Sequence, residues 1–157
     1  MTNLDGFKIL TSTLEEFISI YERLYDDAQV YDEWSVKDIL AHVTFWHEYY
    51  ADNLESEEKN EKPQLFKGKY TDINKSGVDS LNQFSVKALI KRLRAAHNRI
   101  LKVVENGKVK KMTYKEGSRD YTISELLDSV NHHIHHHMVD VKRSLNLKRK
   151  AYAKSKN

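Results

Sequence analysis

Five of the chain's eight histidines fall within six positions, in the segment S-V-N-H-H-I-H-H-H-M-V-D of residues 129–140. Neither a solvated face nor an ordinary core calls for that density. Imidazole is the commonest metal ligand and the one side chain that titrates near neutral pH unaided. Two histidines four apart on a helix point the same way and can share a metal ion. On a helical wheel at about 100° per residue, the apolar residues of this segment centre on Leu126, Leu127, Val130 and Val141. His137 lies about 45° from that centre and His133 about 85°, so these two form the inward i, i+4 pair. His132, His135 and His136 lie more than about 110° away and belong to the solvent.

A third ligand has three candidates. His97 falls on the apolar face of its helix, and His47 lies about 45° off the centre of its own. His42, one turn before Trp46, sits about 95° off, at the edge of the stripe. Periodicity alone picks His97 or His47. Glu48 and Asp140 are the nearest carboxylates in sequence and weak candidates for a general base; Asp140 can instead orient a ligand histidine. Trp46, Tyr49 and Tyr50 are the aromatic residues placed to wall a pocket, although Trp46 and Tyr50 also fit a core stripe.

Four amphipathic helices must position these groups. The first is expected from a Ser12 or Thr13 cap, each with a glutamate three residues on, through Leu14, Phe17, Tyr21 and Leu24 to about Gln29. Ser35 opens the second, with Asp38 as its reciprocal partner and Ile39, Leu40, Val43, Trp46 and Tyr50 as its stripe, to about Asn53. Trp34, just before that cap, reads as a packing anchor. The third runs from Ser85 to the residues before Gly107. Thr122 and Glu125 open the last, which continues through Leu145. Between them, residues 54–84 form a long crossover with a charged run, E-S-E-E-K-N-E-K, and the K-V-K-K-M-T-Y of residues 108–114 suggests a short hairpin arm. The expected fold is all-α, a four-helix bundle over residues 1–147, with ligand sites built from side chains on facing helices.

Composition narrows the function. There is no cysteine, hence no thiolate nucleophile, disulfide or cysteine-based zinc site. No apolar run approaches a bilayer span, and M-T-N-L-D-G-F-K-I-L lacks a signal-peptide layout, so no membrane association and a cytoplasmic location are expected. The net charge of +3 sits in the tail: residues 148–157 hold five Lys/Arg and no acid, leaving 21 basic against 23 acidic groups in residues 1–147. That basic tail reads as a solvated helix end, and no nucleic-acid partner is expected.

The stretch E-W-S-V-K-D-I-L-A-H-V-T-F-W-H-E-Y-Y, residues 33–50, resembles the second-helix signature of the DinB-like superfamily, in particular its DfsB/ClbS-like branch. H-I-H-H-H-M-V-D-V-K-R-S-L resembles the fourth-helix H-x-x-x-H of its metal-binding members, and with L-R-A-A-H the likeness covers most of residues 12–147. The resemblance implies a bundle with a crossover connection and a divalent metal, zinc or nickel, on His42, His133 and His137. It thereby prefers His42 over His47 and His97. It also implies thiol transfer to, or hydrolysis of, a reactive small molecule, with a low-molecular-weight thiol as co-substrate. A non-enzymatic bundle that sequesters a small molecule or metal is the alternative, and a homodimer formed through apolar faces is a further expectation.

Overall fold

The computed structural model describes residues 1–23 and 27–156, the last ten of these by backbone alone. Its elements are α1 (Asn3–Glu22), α2 (Val36–Glu58), α3 (Tyr70–Leu81), α4 (Val86–Asn106), β1 (Lys111–Thr113), β2 (Asp120–Thr122) and α5 (Ile123–Lys156). Helix α2 packs on α4 and α3, while α1 packs on α5. The two strands pair antiparallel, with Met112 opposite Tyr121, and form the expected hairpin arm. The all-α bundle read from the sequence is therefore present, with α3 inside its crossover. Among the described residues no helix is long and apolar enough to cross a membrane.

The expected second start holds: the Ser35 hydroxyl accepts from Asp38 N, and the Asp38 carboxylate accepts from Ser35 N. Thr122 and Glu125 make the same reciprocal pair at the head of α5. Helix α4 opens with Ala88 N donating to Ser85 Oγ and ends at Gly107, whose φ of 67° lies in the left-handed region. The first start is corrected. Helix α1 begins ten residues before Ser12, at a capping box formed by Thr2 and Asp5. Gly6 lies inside this helix, where a side chain would meet Leu127. The reading of Leu24 as a core residue falls outside the described residues, as do the side chains of the basic tail, whose backbone continues α5 to Lys156.

The core joins Leu10, Leu14, Phe17 and Ile18 of α1 to Ile39, Leu40 and Leu54 of α2, Leu89 and Leu93 of α4, and Leu126, Ile134 and Val141 of α5. Paired arginines clip the faces together at the solvent edge. Arg92 makes a bidentate bond to Glu48 at 2.8 and 3.0 Å, Arg99 reaches Asp52 and Glu55, and Arg94 reaches Glu15 and Glu22.

Helix α3 is short and mostly polar, and it docks by close approach. A Cβ on Gly77 would overlap the Phe45 ring, which is itself stacked on Phe66. An alanine inside a helix ordinarily gains about 1 kcal/mol over glycine. Here Gly77→Ala should instead destabilise by about 1–2 kcal/mol through overpacking, visible as a lowered Tm in thermal denaturation. A raised Tm would show that Phe45 has room to retreat.

Candidate metal centre

Helix α5 carries His133 and His137 one turn apart, and α2 brings His42 against them from the facing side. The three ligand nitrogens lie within 4.8 Å of one another. His42 Nε2 is 3.4 Å from His133 Nε2, and His133 Nε2 is 2.9 Å from His137 Nε2. A tetrahedral ion bound by imidazole at ordinary zinc–nitrogen lengths needs nitrogen pairs about 3.3 Å apart. The donor set and its spacing therefore fit a divalent transition metal, with room left in the coordination sphere.

Burial sets the charge of these rings. It pushes His42 down to about 2, with His137 and His133 adding repulsion, and pushes His137 down to about 4. His133 is lowered too, first by burial and then by His136. Neutral imidazole is the form a metal requires. The Trp34 ring lies 4.8 Å from that of His42, so the aromatic residue before the helix cap packs directly on a site residue. His42 Nδ1 is buried without a hydrogen-bond partner among the described residues.

Tyr31, in the loop between α1 and α2, stands behind His137. Its hydroxyl lies 3.1 Å from His137 Nδ1 and donates to Asp140 Oδ2 at 2.5 Å. Asp140 thus reaches the histidine through a phenol rather than directly. Nothing periodic in V-Y-D-E-W marks Tyr31, and residue spacing could not have found it. Burial, and then the Asp140 carboxylate, raise the phenol well above its ordinary value, so it stays a donor.

The alternates are elsewhere. His47 Nε2 lies 3.0 Å from His97 Nδ1, and His97 Nε2 lies 2.8 Å from Thr11 Oγ1, which donates to Phe7 O. This is a hydrogen-bonded pair inside the core, apart from the other three. Periodicity favours these two because they lie nearer the centres of their helices' apolar stripes, although His42 is buried as they are. Glu48 is held by Arg92 on the α4 side. His132 and His136 are exposed, each leaning on its own carboxylate, Asp128 at 3.5 Å and Asp140 at 3.6 Å, and His135 is exposed as well.

His133 also lines a cleft of about 310 Å³, together with Trp46 and Tyr50 of α2, Tyr70 and Asn74 of α3, Tyr114 and Tyr121 of the hairpin region, and Ser129. That volume suits a small molecule. Trp46 and Tyr50 line it. Tyr49 does not: its hydroxyl donates to Tyr114 O and accepts from Phe66 N, tying α2 to the hairpin and the crossover. Trp46 Nε1 donates to Asn74 Oδ1 at 2.7 Å, which fixes the amide of Asn74. Burial raises the Tyr50, Tyr70 and Tyr114 phenols, the last to about 12. Among the described residues no carboxylate lines the cleft.

A sequence model of the DinB superfamily matches residues 10–140. Among solved structures, the mycothiol-dependent maleylpyruvate isomerase is similar at a TM-score of 0.66 and 14% identity, over 90% of this chain and 61% of that one. A mutant of that isomerase gives 0.69 at 11% identity over the same shares. An uncharacterised protein from Escherichia coli UTI89 gives 0.70 at 12% identity, over 94% of this chain and 92% of that one. These likenesses are of fold, and the chain spans about 61% of the isomerase's length. No curated protein sequence matches it.

Proposed function

The chain belongs to the DinB superfamily, and from that membership we propose that it is a divalent-metal enzyme acting on a reactive small molecule. The metal, zinc or nickel, is held by His42, His133 and His137, and the attacking group is a low-molecular-weight thiol or water. The observation that carries this reading is the convergence of three imidazoles, one of which, His133, also lines an aromatic cleft. The mycothiol dependence of the similar isomerase favours a thiol. The W-S-V-K-D-I-L-A-H motif favours the DfsB-like branch, and the cytoplasm is the compartment that keeps such thiols reduced.

A bound ion supplies Lewis acidity, lowering the pKa of a thiol or water toward neutrality and polarising a carbonyl. The chain's own groups do the rest. Trp46, Tyr50, Tyr70 and Tyr114 present flat apolar faces to a bound molecule and exclude water from around it. Asn74, with its carbonyl oxygen engaged by Trp46, offers its amide protons as donors. The phenols, held protonated, offer more donors.

Elemental analysis of the protein purified without an affinity tag tests this. One equivalent of metal per chain is expected. Its removal by a chelator should lower the Tm, and zinc or nickel should restore it, because ligands that bind only the folded state stabilise by mass action. A metal-free, equally folded preparation that gains nothing from either ion would overturn the reading.

A further inference from the structure

We propose that Tyr31 is a positioning residue that fixes the proton of His137 on Nδ1 and so presents the Nε2 lone pair to His133 and His42. The argument is one of donor counting. The phenol has a single proton, and the geometry sends it to Asp140 Oδ2 at 2.5 Å. Toward His137 Nδ1, 3.1 Å away, the phenol oxygen can then only accept. His137 must therefore carry its proton on Nδ1, which leaves Nε2 unprotonated before any ion arrives.

Asp140 is what gives the arrangement its direction. Its Oδ2 also faces His136 Nε2 at 3.6 Å, and Oδ1 faces Arg143 Nη1 at 3.6 Å, so the carboxylate is anchored from two further sides. The Tyr31 ring is held in turn by edge contact with His137 and packing against Trp34. With His137 fixed, the contact of 2.9 Å between the two Nε2 atoms makes His133 the donor in the metal-free protein. His133 is then the ligand that must shift its proton to Nδ1 when an ion binds, and it is the one that lines the cleft.

Imidazole 15N spectra of the metal-free chain test the assignment. Wild type should show His137 protonated on Nδ1. Asp140→Ala frees the phenol to donate to His137 and should move that proton to Nε2. Asp140→Asn keeps an acceptor and should leave it in place. Tyr31→Phe, which retains the ring and its packing, should lose the preference for Nδ1 and weaken cobalt, nickel or zinc binding by 10–100-fold in competition dialysis. His137 protonated on Nε2 in wild type would overturn the proposal. So would Tyr31→Phe with the proton still on Nδ1 and affinity changed less than twofold. The metal arm rests on the function proposed above, but the tautomer arm does not. Wild type that shows the Nδ1 proton yet binds no metal would sink that function and leave the role of Tyr31 standing.

Discussion

Changing His133 and His137 together to alanine should abolish stoichiometric metal binding and any turnover that depends on it. Structural zinc sites bind with about 10–16 kcal/mol shared over four ligands, or roughly 3 kcal/mol per ligand. Losing two imidazoles should then weaken affinity by about 10⁴-fold. The fold should survive. His133 is only partly buried, and in the metal-free protein the three converging nitrogens cannot all be satisfied by one another. The double variant should therefore melt near the metal-free wild type while losing the rise in Tm that metal gives. Equilibrium dialysis and thermal denaturation with and without zinc check both parts. A variant that keeps tight, stoichiometric metal would move the centre away from α5.

The other histidine pair should matter for stability rather than chemistry. His47→Ala removes a fully enclosed ring and leaves His97 Nδ1 without its donor. Cavity and lost hydrogen bond together should cost about 3 kcal/mol, or a fall in Tm of about 10 °C for a chain of this size. The same pair makes stability depend on pH. Burial pushes His47 down to about 3, with His97 adding repulsion, and pushes His97 down to about 4. Below the ordinary histidine value the unfolded chain takes up protons that the folded pair refuses, so stability is complete above about pH 6.5 and falls toward pH 4. The slope is about 1.4 kcal/mol per pH unit for each of the two rings. Urea titrations between pH 7 and 4.5 measure it. Replacing both histidines with leucine should flatten this contribution, and an unchanged slope would show that other groups dominate acid unfolding.

The sequence was most legible where a local rule and a burial pattern agreed. Ser35 with Asp38, Thr122 with Glu125, and Ser85 with Gly107 each mark a helix end that the structure keeps. The division of the histidine cluster was also legible, because exposure follows angle on a single helix: His132, His135 and His136 are exposed, and His137 is buried. The first helix was misjudged because the Ser12 and Thr13 patterns look like caps while Thr2–Asp5 is the real one. Helix α3 was unreadable for a different reason. Its buried residues Ile73, Gly77, Val78 and Leu81 make a narrow stripe that includes a glycine, and its docking depends on Phe45 of another helix. A third limit separated His42 from His47. An angle on α2 reports distance from the apolar stripe, yet His42 and His47 are both buried, and the neighbour of His47 is His97. Which histidine meets α5 is decided by helix packing, which a wheel for one helix does not contain. Tyr31 lay beyond any such rule, since its partners His137 and Asp140 are more than a hundred residues away.

The chain has only two tryptophans, and each lies beside a different part of the candidate site. Trp34 packs on the His42 ring, while Trp46 forms part of the cleft wall and donates its indole proton to Asn74. Indole emission is sensitive to what sits beside the ring, so the molecule carries two intrinsic optical reporters. The first answers to events at the histidines, the second to a guest in the cleft. Substituting either one leaves the other as a single-channel signal. Ion uptake and ligand entry, the two events proposed above, can thereby be followed separately, in real time, on an unlabelled protein.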